Sequence, residues 1–84
     1  MKLIFSERAW EDYLYWQKTD KKTLRRINML IKEAARDPFA GIGKPEPLKH
    51  ALAGYWSRRI DEANRMVYRA QNDSLLIAQL RYHY

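Results

Sequence analysis

The period of apolar and polar positions changes as the chain runs from Met1 to Tyr84. Leu3-Ile4-Phe5 is a short apolar run of strand length. Ser6 can then N-cap a helix, with Glu7 in its first turn against the positive end of the dipole. Trp10, Tyr13, Leu14 and Gln17 recur on one helical face and predict an amphipathic helix over about residues 7–18. Thr19-Asp20 is a second cap. Leu24, Ile27, Ile31, Ala34 and Ala35 follow at helical spacing to about residue 36, with Lys21, Lys22, Arg25, Lys32 and Arg36 opposite. Pro38 disfavours helix at Asp37 and sets the stop.

The stretch PFAGIGKPEP, residues 38–47, holds all three prolines and is irregular. Beyond it, alternation predicts strands over 55–60, 65–70 and 75–82, with turns at Gly54, at Asp61-Glu62-Ala63-Asn64 and at Asn72-Asp73-Ser74. The order is strand, two helices, loop, three-strand meander. It predicts one α+β domain over residues 1–84, with the two N-terminal helices packed on one face of a small, mainly antiparallel sheet. The other sheet face is left for solvent or a ligand.

Strand parity sorts the side chains. Trp56 and Ile60, Met66, Tyr68 and Ala70, and Leu76, Ala78, Leu80 and Tyr82 form the expected helix side. Tyr55, Ser57 and Arg59, Arg65, Val67 and Arg69, and Gln79, Arg81 and His83 form the other; Arg58 breaks the pattern and is placed at an edge. Three-residue loops at 61–63 and 72–74 would set Arg59 opposite Arg65 and Arg65 opposite Arg81. The expected open face then carries Arg59, Arg65, Arg81 and His83, with Lys44, Glu46 and Lys49 of the KPEPLKH loop on its rim.

Charge sharpens this picture. The net charge is +6 and the pI is near 9.8, which favours a polyanionic partner such as nucleic acid or a ribosomal surface. Aromatic residues make up 13% of the chain and lie near the basic positions, so stacking on unpaired bases can accompany phosphate contacts. There is no cysteine and the histidines, His50 and His83, are far apart, so no metal site and no cofactor are expected. No apolar run approaches membrane-spanning length and residues 1–6 are too short for a secretory signal. The expectation is a mature, soluble, cytoplasmic protein.

Cleaving RNA without a metal needs a base for the ribose 2′-hydroxyl, a cation for the phosphate and an acid for the leaving 5′-oxygen. Glu46 can be the base, Arg65 the clamp and His83 the acid, with Lys49 or Arg59 adding charge stabilisation. Lys44 and Lys49 flank Glu46 and favour its charged form, which weakens it as a base. The residues taken singly also fit a solvated loop carboxylate, a surface arginine and an incidental histidine.

GKPEPLKH, YWSRRI, RMVY and the final RYHY, with DYLYWQ near the start, resemble the YoeB toxins of bacterial toxin–antitoxin systems, within the RelE superfamily, over essentially the whole chain. The resemblance implies a ribosome-dependent mRNA endoribonuclease that cuts the codon in the A site and leaves 2′,3′-cyclic phosphate and 5′-hydroxyl ends. It implies Glu46 as general base, Arg65 as phosphate stabiliser and His83 as general acid, with Lys49, Arg59 and Tyr84 in support. It also implies a YefM-type antitoxin with an acidic, disordered segment, and a homodimer. Two rivals stand beside it: a non-catalytic RNA or ribosome binder, and a ParE-like gyrase poison of the same fold.

Overall fold

A computed structural model describes all of residues 1–84. Strand β1 (Lys2–Phe5) leads into helices α1 (Glu7–Thr19) and α2 (Lys21–Arg36). After an irregular loop come β2 (Glu46–Pro47), a 3-10 turn (His50–Leu52), β3 (Trp56–Arg59), β4 (Arg65–Gln71) and β5 (Ser74–Gln79). The caps are those expected. The Ser6 hydroxyl accepts the Ala9 N–H, and the Asp20 carboxylate accepts the Lys22 and Thr23 N–H groups.

The five strands form one sheet in the order β1-β5-β4-β3-β2. All pairs are antiparallel except β1 with β5, which run parallel because the two helices carry the chain across between them. α1 and α2 cover one face. Ile27, Leu30, Ile31 and Ala34 of α2 and Ala9 and Trp16 of α1 close over Met66, Tyr68, Leu75, Ile77 and Leu80. Burying each large aliphatic side chain there contributes about 1.5–3 kcal/mol.

Several expectations are corrected. On α1 the buried stripe is Ala9, Asp12 and Trp16, while Trp10 is 49% and Leu14 is 41% exposed. Ala9 permits close approach to the sheet. Trp10 instead stacks on Tyr13 and meets Phe5 edge-on at the molecular surface. The β4–β5 turn has two residues, Asn72-Asp73, with Asn72 in the left-handed region (φ 54°), so Gln71 pairs with Ser74. This puts Leu75 and Ile77 on the core side and Leu76 on the open side. A bulge opposite Val67 and Tyr68 then shifts the register by one. Beyond it Leu80 faces the core and Gln79 the open face, as the alternation predicts. The segment 80–84 is no strand: β5 ends at Gln79, and Tyr82 takes a left-handed conformation (φ 69°) and lies 55% exposed rather than on the helix side.

Arg58 is not at an edge. It is fully buried on the helix side of β3, and all its hydrogen bonds go to carbonyl oxygens and a phenol rather than to a carboxylate. Its Nη2 donates to the carbonyls of Asp37 and Ala40 at 2.7 and 2.8 Å, Nη1 to Ile42 at 2.9 Å, and Nε to the Tyr68 phenol at 3.0 Å. The phenol in turn donates to the Pro38 carbonyl at 2.6 Å. Burial pushes the Tyr68 phenol above its usual range, against the opposing pull of Arg58, so it stays a donor at neutral pH. These bonds hold the irregular loop that leads to Glu46. Gly43 lies there at φ 84°, where a Cβ would come within 2.8 Å of Leu30 Cδ2.

Candidate active site

The Glu46–Ser57 pair anchors β2 on β3, and the row continues through Val67 on β4 to Gln79 on β5. All four residues stand on the face that the helices leave open. Arg59 and Arg65 form the next pair on the same face, directly opposite each other as the first hairpin register predicts. Like charges in that position cost stability. The chain's salt bridges lie elsewhere, at Met1–Asp73, Arg8–Asp12 and Arg36–Glu33, so no carboxylate comes within 4 Å of Arg59, Arg65, Lys44 or Lys49. A cationic face of this kind is suited to an anion brought from outside.

The open face is nonetheless not bare. Ser57, Val67, Arg65 and Gln79 are all less than a tenth exposed, because the last residues fold back over them. The Gln79 carboxamide donates to the carbonyls of Arg81 and Tyr82 at 2.9 and 3.1 Å. Tyr82 N–H donates to Asn64 Oδ1 at 2.7 Å, and its carbonyl accepts the Arg65 N–H at 3.0 Å. The segment thus crosses β4 and reaches β2, where the Tyr84 hydroxyl donates to Glu46 Oε1 at 2.8 Å. The His83 and Tyr84 rings lie 4.6 Å apart, both exposed.

The fold therefore brings Glu46, Arg59, Arg65, His83 and Tyr84 to one face. Lys49 joins Glu46 and Tyr84 around a cavity of about 370 Å³. Arg65 spends Nη1 on the carbonyls of Asp61, Glu62 and Asn64, which fixes its guanidinium against the β3–β4 turn; Nε and Nη2 have no partner within the chain. Lys44 is exposed at φ 51° on the approach to Glu46. Arg81 does not belong to this face. Its guanidinium lies 3.5 Å from the Tyr15 ring on α1, because the chain turns at residue 80 before crossing the sheet.

Sequence reasoning missed two contributors. Gln79, placed on the outward side of its strand without a role, is the clasp that holds the last segment. Arg58 organises the loop before Glu46, and the signal available was an arginine where an apolar residue belonged. No group of three or more His, Asp or Glu side chains converges anywhere in the fold. One carboxylate, Glu46, with the His83 imidazole beside Tyr84 and the Arg59–Arg65 pair on the same face leave proton transfer and charge stabilisation as the chemistry that this face can perform.

A sequence model described as the YoeB-like toxin of bacterial type II toxin–antitoxin systems matches residues 5–84. The chain is 64% identical to Toxin YoeB of Escherichia coli (strain K12) over 84 residues, the full length of both. Its structure matches the YoeB/ParE toxin from Agrobacterium tumefaciens with a TM-score of 0.98 and 51% identity, over 100% of both chains. YoeB from Staphylococcus aureus has been solved as a dimer, with a TM-score of 0.93 and 46% identity over 100% of this chain and 98% of that one. It has also been solved in complex with YefM, with a TM-score of 0.92 and 45% identity over the same shares.

Proposed function

The chain belongs to the YoeB-like toxins of bacterial type II toxin–antitoxin systems, and we propose that it acts as a ribosome-dependent endoribonuclease that cuts mRNA in the A site and so stops translation. The observation that carries this reading is the contact of Tyr84 with Glu46, which draws the His83 segment to a carboxylate beside an unpaired arginine pair.

The chemistry follows from the groups at hand. Glu46 takes the proton of the ribose 2′-hydroxyl, and the 2′-oxygen attacks phosphorus. Arg65, with Arg59 and Lys49, meets the charge that builds on the phosphoryl oxygens. The bond from phosphorus to the 5′-oxygen breaks, and His83 as imidazolium protonates that oxygen. The products are a 2′,3′-cyclic phosphate and a 5′-hydroxyl. The substrate hydroxyl replaces the Tyr84 phenol as the donor to Glu46, so the phenol marks the place where the nucleophile sits. No step in this scheme asks for a metal or a cofactor.

The partners follow the same logic. A-site mRNA and the ribosome supply the polyanion for the basic face, which places the activity in the cytoplasm. Since Staphylococcus aureus YoeB has been solved with YefM, a YefM-like antitoxin with an acidic segment that orders on contact covers this face at rest. A homodimer, as in the Staphylococcus aureus protein, is the assembly that acts.

Single-turnover cleavage of ribosome-bound mRNA tests the mechanism. Replacing the 2′-hydroxyl at the cut site by hydrogen is expected to abolish cutting while binding survives, and saturating cognate antitoxin is expected to suppress it. Cutting of the deoxy message at the normal rate would overturn the mechanism.

A further inference from the structure

The motif DYLYWQ sits on α1, away from Glu46, Arg65 and His83, and the proposed chemistry leaves it without a role. Its first residue and its tryptophan, Asp12 and Trp16, stand one helical turn apart on the buried stripe, each 8% exposed. Both reach the same target. Asp12 Oδ2 accepts the Leu80 N–H at 3.0 Å, and Trp16 Nε1 donates to the Leu80 carbonyl at 2.8 Å. Leu80 is the first residue beyond β5, where the sheet ladder ends and both backbone groups would otherwise be buried without partners.

The next residue is held by the same helix. Arg8 Nη2 donates to the Arg81 carbonyl at 3.2 Å and its Nε lies 3.7 Å from Asp12 Oδ2, while the Arg81 guanidinium packs over the Tyr15 ring. From this point the chain turns and crosses the open face, carrying His83 and Tyr84. A buried carboxylate is costly unless its hydrogen bonds are made. An apolar residue at position 12 would serve the core equally well and would leave the Leu80 N–H unpaired.

We infer that Asp12 and Trp16 are positioning residues that fix where the last segment leaves the sheet, and so set His83 against the scissile phosphate. This rests on the ribonuclease reading for its catalytic consequence, though not for its geometry. Misplacement of a catalytic group by about 1 Å can cost on the order of a hundredfold in rate. Both residues act only through the segment that they hold, so their effect should appear in kcat rather than KM.

The test uses Asp12→Ala, Asp12→Asn and Trp16→Phe in the full chain, with and without His83→Gln. The Asn side chain can still accept from Leu80, and Phe keeps the buried ring without its N–H. Asp12→Ala and Trp16→Phe are expected to lower kcat on ribosome-bound mRNA by roughly ten- to a hundredfold with KM unchanged. Asp12→Asn is expected to restore most of the rate. Amide exchange at Tyr82 should accelerate in the two disrupted variants, and neither should slow a His83→Gln protein further. Loss of melting temperature with kcat and Tyr82 exchange at wild-type values would overturn the inference, as would full additivity with His83→Gln. If Asp12→Ala does not fold, Trp16→Phe alone decides. If the wild-type chain does not cut ribosome-bound mRNA, the ribonuclease reading falls, and accelerated or unchanged exchange at Tyr82 supports or overturns the positioning role on its own.

Discussion

The phenol of Tyr84 donates a 2.8 Å hydrogen bond to Oε1 of Glu46, joining residues 38 positions apart across the width of three strands. The backbone of Tyr82 is pinned separately, through its N–H to Asn64 and its carbonyl to the Arg65 N–H. The last segment is therefore a strap held at several points, and only its outer end, Tyr84 on Glu46, is bonded to a proposed catalytic side chain.

Removing His83 and Tyr84 leaves the inner attachments intact. The truncated chain should fold, melt close to the wild-type temperature and bind ribosomes. It should cut mRNA at least about a hundredfold more slowly, the low end of what a positioned general acid contributes. His83→Gln isolates the acid, since it keeps a polar side chain that cannot protonate a leaving oxygen. Melting, ribosome affinity and single-turnover cleavage on the same preparations check this; wild-type cutting by His83→Gln would remove the histidine from the mechanism.

Glu46→Gln should behave differently from a structural lesion. Glu46 is exposed and makes no ion pair, and a glutamine oxygen can still accept from Tyr84. Stability should change by less than about 0.5 kcal/mol, as for an ordinary surface substitution. Cleavage should fall by a factor on the order of a hundred or more, the usual worth of a general base. Urea unfolding beside a cleavage assay gives both numbers.

Neighbouring arginines should separate fold from function. Arg58→Met leaves the carbonyls of Asp37, Ala40 and Ile42 without their buried donors. Each orphaned group costs about 1–3 kcal/mol. In a domain of this size a loss of about 3 kcal/mol lowers Tm by more than roughly 10 °C. Arg59→Met should leave Tm nearly unchanged or slightly raised, because it removes a like-charge pair with Arg65. It should weaken binding to ribosome-bound mRNA and reduce the salt dependence of that binding. Calorimetry and a salt titration distinguish the two.

Acid should weaken the start of α2. The Thr23 hydroxyl and N–H, then the Lys22 N–H, hold the Asp20 carboxyl below its usual value of 3.8. The folded-state value is depressed, so this contribution is present above about pH 3.8 and is lost as pH falls through the lower folded value. Asp20→Asn keeps a capping oxygen without a titrating group. The difference in Tm between wild type and Asp20→Asn should therefore shift in favour of the variant as pH drops below about 3.8, read by thermal melts at stepped pH. A difference that is constant with pH would show that the cap does not depend on its charge.

Local chemistry by itself determined most of the frame. Ser6 and Asp20 are caps wherever the rest of the chain goes, because they bond to amides two or three residues away. Pro38 ends a helix for steric reasons internal to its own dipeptide. The turn at residues 61–64 sets Arg59 opposite Arg65 through the Asp61 and Asn64 side chains, so that half of the site was legible too.

Tertiary structure decided what depends on distant partners. The alternation in β5 could not reveal the bulge, since an extra residue is visible only against the strand it fails to match. Hydrophobicity favoured Trp10 and Leu14 over Asp12 for the inner face of α1, and the need to satisfy Leu80 reversed that choice. The apolar run into RYHY reads as a strand to its end. It leaves the sheet at Leu80 because α1 takes both backbone groups of that residue, and Gln79, Asn64 and Glu46 then draw the remaining residues over the open face.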